Sequence, residues 1–155
     1  MPAFRDERRV HHNAVEMFDL VADIERYPEF VPLCKSLGIR SRKPETDDRE
    51  TLVADMTVGY KLIRETFTSR VMLDRARLKV RVEYLDGPFS RLENIWTFKD
   101  EAEGGGSRVG FFIDYEFKSR TLGLLMGSMF DAAFRKFASA FERRADAIYG
   151  RSQYS

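Results

Sequence analysis

The sequence predicts an α+β fold: a curved antiparallel sheet of about seven strands closed by one long C-terminal helix. Three observations carry this expectation. Between Pro32 and Phe117 apolar residues fall on alternate positions, the signature of strands with one face covered. From residue 121 to 149 they recur instead at three- and four-residue steps. The stretch between the first alternating segment and Pro32 has room only for two short helices.

In chain order, residues 3–10 alternate weakly and are read as the first strand. Asn13 is a suitable N-cap for a helix from Ala14 to about Asp23, with Val15, Phe18, Val21 and Ala22 on one face. Pro28 and Pro32 then allow little more than one further helical turn. Six strands are expected after Pro32. The clearest are 51–60 (Leu52, Ala54, Met56, Val58, Tyr60), 63–73 (Ile63, Phe67, Val71, Leu73) and 78–84 (Leu78, Val80, Val82, Tyr84). Two more follow at 92–98 (Leu92, Asn94, Trp96, Phe98) and 109–117 (Val109, Phe111, Ile113, Tyr115, Phe117). Turn residues separate them at Asp47-Asp48, Gly59, Asp74-Arg75, Asp86-Gly87-Pro88 and Gly104-Gly105-Gly106. The buried parity switches from even in 51–60 to odd in 63–73, which places a tight hairpin near Gly59-Tyr60-Lys61. The final helix, 121–149, would run roughly 43 Å against about 30 Å for a nine-residue strand, so it can cross the whole sheet.

Composition narrows the function. The 155 residues are 43% hydrophobic and 33% charged, which suits a single domain over residues 1–150 with a short tail at 151–155. With 26 basic and 25 acidic side chains, neither sign dominates, and binding to DNA is not expected. The longest stretch free of charge, Thr121–Phe130, is half the length of a membrane span. The acidic N-terminus lacks the features of a secretion signal or transit peptide, and a single cysteine, Cys34, suits a reducing compartment. A cytoplasmic protein is therefore expected. Charge is nevertheless divided: from Lys118 to Ser155 seven basic side chains face three acidic ones, so this part carries +4 and the rest −3. Such a basic surface is compatible with solvent, anionic lipid headgroups or RNA phosphates. The aromatic content is high, with 13 Phe, 6 Tyr and one Trp.

Evidence for catalysis is absent from the motifs. No nucleophile elbow, phosphate-binding loop or dinucleotide fingerprint occurs. His11 and His12 are adjacent and point to opposite faces of a strand, so they do not make a metal site together. Cys34 lies beside Lys35 but far from any His, which favours an inert, half-buried thiol. Two polar residues fall on inward faces, Glu65 and Asn94. They either fix sheet register through hydrogen bonds or anchor a polar headgroup in an apolar pocket. Periodicity alone does not separate a packed core from a cavity.

Several stretches recur in order in one known family. They are Tyr27-Pro28-Glu29-Phe30-Val31-Pro32-Leu33-Cys34, Val58-Gly59-Tyr60 with Glu65-Thr66-Phe67-Thr68-Ser69, Phe89-Ser90-Arg91-Leu92 with Trp96-Thr97-Phe98, and Tyr115-Glu116-Phe117-Lys118-Ser119. On these the sequence resembles the coenzyme Q-binding, START-like branch of the polyketide cyclase/dehydrase and lipid-transport superfamily, whose bacterial members are also named ribosome-association toxins. It departs at Leu33, where the family often has Trp, and in lacking the N-terminal extension of mitochondrial relatives.

The resemblance implies the helix-grip fold and a non-catalytic role: binding ubiquinone or a related isoprenoid in a hydrophobic cavity in support of respiration. No metal and no covalent cofactor are expected. The apolar lining would come from Met56, Val58, Phe67, Val80, Val82, Trp96, Phe111, Ile113, Met126, Met129, Phe130, Phe134 and Phe137. Glu65 and Asn94 would contact the headgroup, and Tyr27, Phe30, Val31 and Leu33 would form the mouth. A pocket of about 300–1,000 Å³ would leave part of a polyprenyl tail outside. Gly123 and Gly127 weaken the start of the last helix by roughly 1 kcal/mol each, favouring opening there. The implied partners are a quinone or lipid, with peripheral contact at the cytoplasmic face of the inner membrane. The alternative is a factor that binds the large ribosomal subunit and blocks subunit joining.

Overall fold

The computed structural model describes residues 3–150. The expected tail at 151–155, and with it Arg151 of the basic stretch, lies outside the described residues. Strand β1 (Ala3–Val10) leads into α1 (Ala14–Ala22) and a 3-10 helix (Ile24–Glu29). Six strands follow, β2 (Cys34–Pro44), β3 (Arg49–Tyr60), β4 (Ile63–Asp74), β5 (Lys79–Asp86), β6 (Phe89–Asp100) and β7 (Ser107–Phe117), and then α2 (Arg120–Tyr149). All seven strands form one antiparallel sheet in the order β1-β7-β6-β5-β4-β3-β2. Strands β2 to β7 are successive hairpins, so α1 and the 3-10 helix carry the chain from one edge of the sheet to the other. This is the helix-grip arrangement.

Local chemistry accounts for most boundaries. Asn13 caps α1 through a capping box: its side chain accepts from Glu16 N at 2.8 Å while the Glu16 carboxylate accepts from Asn13 N. The buried face of α1 is Ala14, Met17, Phe18 and Val21, with Leu20 beside it. Val15, expected on that face, is 45% exposed. The parity switch does mark a two-residue hairpin, in which Tyr60 pairs with Ile63 and Lys61 takes a left-handed φ of 56°. Leu78 lies outside β5: it occupies a left-handed turn position (φ 51°), and its carbonyl accepts from Phe98 N. β2 carries no clean alternation because it is an edge strand with two irregularities, at Cys34/Ser36 and Ile39/Ser41.

One glycine sets the β5–β6 turn. Gly87 has φ of 144°, and a Cβ there would lie 2.6 Å from Phe67 Cβ. Gly87→Ala is therefore expected to lower stability by about 2 kcal/mol or more, read as a shifted denaturant midpoint with an unchanged slope. A loss below about 0.5 kcal/mol would show that this hairpin relaxes freely.

α2 crosses the sheet against β1, β7 and α1. Its C-terminal half is tied by polar contacts: Glu142 to Arg8 of β1 (2.9 Å), Arg144 to Glu29 (2.6 Å) and Asp146 to the buried His12 (2.7 Å). Ser119 caps its start by accepting from Leu122 N. No ion pair ties residues 120–130 to the sheet among the described residues. Under its middle and C-terminal half lies an aromatic cluster in which Trp96 sits 4.7 Å from Phe111 and 4.9 Å from Phe141, ring centre to ring centre.

Candidate ligand cavity

The concave face of the sheet, α2 and the segment 24–33 enclose an apolar cavity of about 100 Å³. Strand alternation supplies one wall: Ala54, Met56 and Val58 of β3, Phe67 and Val71 of β4, Val80 and Val82 of β5, Leu92 and Trp96 of β6, and Ile113 of β7. Helical spacing supplies the other, with Phe130, Ala133, Phe134, Phe137 and Phe141 on one stripe of α2. Ile24, Tyr27, Val31, Pro32 and Leu33 border it at one side. Space remains because small residues, Ala54, Ser69 and Ala133, stand where larger ones would fill it.

Most residues nominated from the sequence lie on this wall: Met56, Val58, Phe67, Val80, Val82, Trp96, Ile113, Phe130, Phe134 and Phe137, with Asn94 and, at the border, Tyr27, Val31 and Leu33. Five do not. Phe111 is inward-facing but packed between Phe4, Trp96 and Phe137, where no gap remains. Met126 is fully buried one turn before the stripe, and Met129 is half-buried on its flank. Phe30 turns onto Phe141 (4.9 Å) beneath the Arg144 guanidinium (5.0 Å). Glu65 keeps the inward parity but pairs with Val58 near the β3–β4 tip, half-buried and outside the cavity. The cavity is also smaller than the 300–1,000 Å³ expected. Sequence reasoning passed over Ser69, although it shares its parity with Phe67 and Val71.

Two polar atoms interrupt the apolar wall. Asn94 Nδ2 donates to the Phe112 carbonyl at 2.8 Å, which fixes the amide and leaves Oδ1 with no partner among the described residues. Ser69 is 6% exposed, and its hydroxyl has no partner among the described residues either. Tyr27 is different. Its hydroxyl donates to the Val21 carbonyl, and burial pushes its pKa well above the usual tyrosine range.

Cys34 is buried and unpaired, and burial raises its thiol to about 11. Lys35 does not offset that rise. At pH 8 the thiolate fraction is roughly a hundredfold below that of an unperturbed thiol, so alkylation by iodoacetamide should be slower by at least that factor. Alkylation at the rate of a free peptide cysteine would overturn this. Among the described residues no three His, Cys, Asp or Glu side chains come together as a metal site.

The start of α2 is held weakly. Leu124 and Leu125 are 80% and 55% exposed, and only Met126 is deeply buried before Phe130. Amides 121–128 are expected to exchange at least tenfold faster than 134–145. Equal protection of the two stretches would remove the case for opening at this end. The basic character of α2 is partly neutralised, since Arg135 pairs with Asp131 and Arg144 with Glu29. No helix of the described residues is long and apolar enough to cross a membrane.

Comparison with known proteins is consistent along nearly the whole chain. Residues 10–142 match the family described as polyketide cyclase / dehydrase and lipid transport. A ribosome association toxin RatA of Vibrio cholerae is 32% identical over 143 residues, covering 91% of this chain and 93% of the relative. A mitochondrial coenzyme Q-binding protein COQ10 homolog B of Xenopus laevis is 30% identical over 141 residues, covering 89% of this chain but 55% of the relative. The solution structure of an 18 kDa protein from Caulobacter crescentus superposes with a TM-score of 0.77 at 32% identity, covering 97% of this chain and 99% of that one.

Proposed function

Because the chain belongs to the polyketide cyclase / dehydrase and lipid transport family, we propose that it binds ubiquinone or a related isoprenoid non-covalently beneath α2 and acts as a quinone chaperone for respiratory electron transport. The observation that carries this reading is the apolar cavity with two unpartnered polar atoms, Ser69 Oγ and Asn94 Oδ1. Both atoms face the cavity with a free hydrogen-bonding position, and a ligand oxygen placed there would gain a net hydrogen bond of about 0.5–1.5 kcal/mol. Ser69 and the second Nδ2 proton of Asn94 can donate to a quinone carbonyl, while Asn94 Oδ1 can accept from a quinol hydroxyl.

Size decides how much of the ligand enters. An apolar cavity of about 150 Å³ takes a benzene molecule. The space here, about 100 Å³, holds roughly one isoprene unit until side chains such as Met56 or Phe137 move. A polyprenyl chain must therefore leave through the border at Val31–Leu33 or displace α2. The wall offers binding groups and no acid–base pair among the described residues. The one titratable side chain on the wall, Tyr27, is tied to the Val21 carbonyl, and Glu65 lies outside.

The test is native purification without detergent from a quinone-producing host, followed by organic extraction and mass spectrometry. An isoprenoid quinone co-purifying with the protein is the expected result. Extracts without quinone, together with no binding in a titration with a short-chain ubiquinone, would overturn it. A second reading, association with the large ribosomal subunit, is favoured by the relative named RatA and by Lys136 and Arg143, exposed on α2 outside any ion pair. Salt-sensitive co-sedimentation with isolated subunits, by a preparation that holds no quinone, would favour it.

A further inference from the structure

We propose that the end of the sheet carrying the β3–β4 and β5–β6 hairpins and the start of α2 is a docking surface for an anionic lipid bilayer. Strand register places these parts together. Tyr60 pairs with Ile63, Cys34 with Val58, Asp86 with Thr68 and Phe89 with Phe117, and Lys118 N donates to the Pro88 carbonyl. Segment Val31–Leu33, which borders the cavity, leads into β2 at this same end.

Exposed large apolar side chains concentrate here. Leu62 at the hairpin tip is fully exposed, Leu124 is 80% and Leu125 55% exposed, and Leu85 and Tyr60 are 41% and 40% exposed. β5 stops at Asp86 opposite Thr68, so β4 from Ile63 to Phe67 runs on with β3 alone. The Lys61-Leu62 tip therefore projects beyond the neighbouring hairpin. Leucine at a projecting tip gains nothing from the fold, and hydrocarbon would supply the burial it lacks.

Charge complements the apolar groups. Lys35, Lys61, Arg64, Lys118 and Arg120 are all exposed at this end, and none is in an ion pair among the described residues. Among the described residues thirteen other basic side chains, His12 included, are held by carboxylates, and the remaining eight cations outside ion pairs are spread over the opposite end, β1 and the later turns of α2, away from the exposed leucines. The free acids at this end are Glu65 and Asp86, because Glu116 is engaged by Arg91 and Ser90. Unpaired cations alternating with exposed leucines fit a headgroup layer above hydrocarbon better than the uniformly polar surface of a folded RNA. The inference rests on the cavity reading only in giving the docked surface its purpose, since the cavity would then exchange its ligand directly with the bilayer.

The test is flotation of the full chain with vesicles of phosphatidylcholine alone or mixed with phosphatidylglycerol. Binding is expected to the mixed vesicles and to weaken with salt. Neutralising three cations (Lys61→Gln, Lys118→Gln, Arg120→Gln) should weaken it on the order of a hundredfold, at about fivefold each. Leu62→Asp with Leu124→Asp should abolish it, and Lys43→Gln, Arg49→Gln and Lys99→Gln at the opposite end should leave it unchanged. Every altered side chain is exposed, and circular dichroism verifies that the variants stay folded. Equal loss from the two charge sets, no flotation of the unaltered protein, or loss of ribosomal co-sedimentation in a chain that never floats would each overturn the proposal. Short-chain ubiquinone binding is measured in parallel without vesicles. Failure there with flotation intact refutes the cavity reading and leaves the docking surface standing.

Discussion

Phe141→Ala is expected to lower the stability of the fold by about 3–5 kcal/mol. Its ring is 1% exposed and lies edge-on to three others, at 5.3 Å from Tyr27, 4.9 Å from Phe30 and 4.9 Å from Trp96. These partners come from the 3-10 helix, the loop after it and the sheet, so one side chain joins three parts of the structure to α2. Truncation removes the transfer energy of the ring and leaves a hole that adds to an existing cavity. Against a total of about 5–15 kcal/mol for a domain, this is a large fraction. Equilibrium denaturation reads it directly. A loss below about 1.5 kcal/mol would mean that the neighbouring rings collapse into the gap, and Phe141→Leu should recover a good part of the loss.

Filling the cavity is expected to separate binding from stability. Ala54→Leu and Val82→Phe place added carbon atoms into the space beneath α2 without introducing a polar group. Retained quinone should fall at least tenfold in the double variant. The melting temperature should hold or rise, because each methylene that finds apolar contact contributes about 0.8 kcal/mol. Unchanged quinone in a folded, filled variant would show that the ligand lies elsewhere. A fall in both would show that the added groups overpack the core, and Ala54→Val then serves as the milder probe.

The sheet was legible because its strands are covered on one face only. Alternation such as Val109, Phe111, Ile113 and Tyr115 records that burial directly, and each of these four is buried. β2 was not legible, since an edge strand with two irregularities and charged residues at Lys35, Arg40, Arg42 and Lys43 buries too little to impose a period. The cavity wall was partly legible for the same reason. Parity tells which way Phe111 points but not whether α2 touches it there or stands off, as it does above Ile113. The distinction depends on curvature, and on small residues at Ala54 and Ala133 that a search for large apolar side chains passes over. Glu65 and Asn94 have the same inward pattern, yet the first sits near a hairpin tip and the second in the wall. Their different fates follow from where β5 ends, which no local pattern encodes.

In mechanical terms α2 is a beam clamped at its C-terminal half and only hinged at its start, where Lys118 and Ser119 join it to β7. Glu142, Arg144 and Asp146 clamp it to β1, the 3-10 helix and His12, while the ten residues from Arg120 to Met129 carry no such tie. Lifting the first turns away from the sheet separates apolar surfaces but breaks no ion pair among the described residues. The clamp stands beyond Phe141 and the hinge at Ser119, so the stretch left to bow outward is the one that carries Leu124 and Leu125. The force that bows such a beam need not come from the ligand. A surface that solvates those two leucines would lower the energy of the raised position, and the compartment beneath would then fill or empty according to where the molecule is rather than what is dissolved around it.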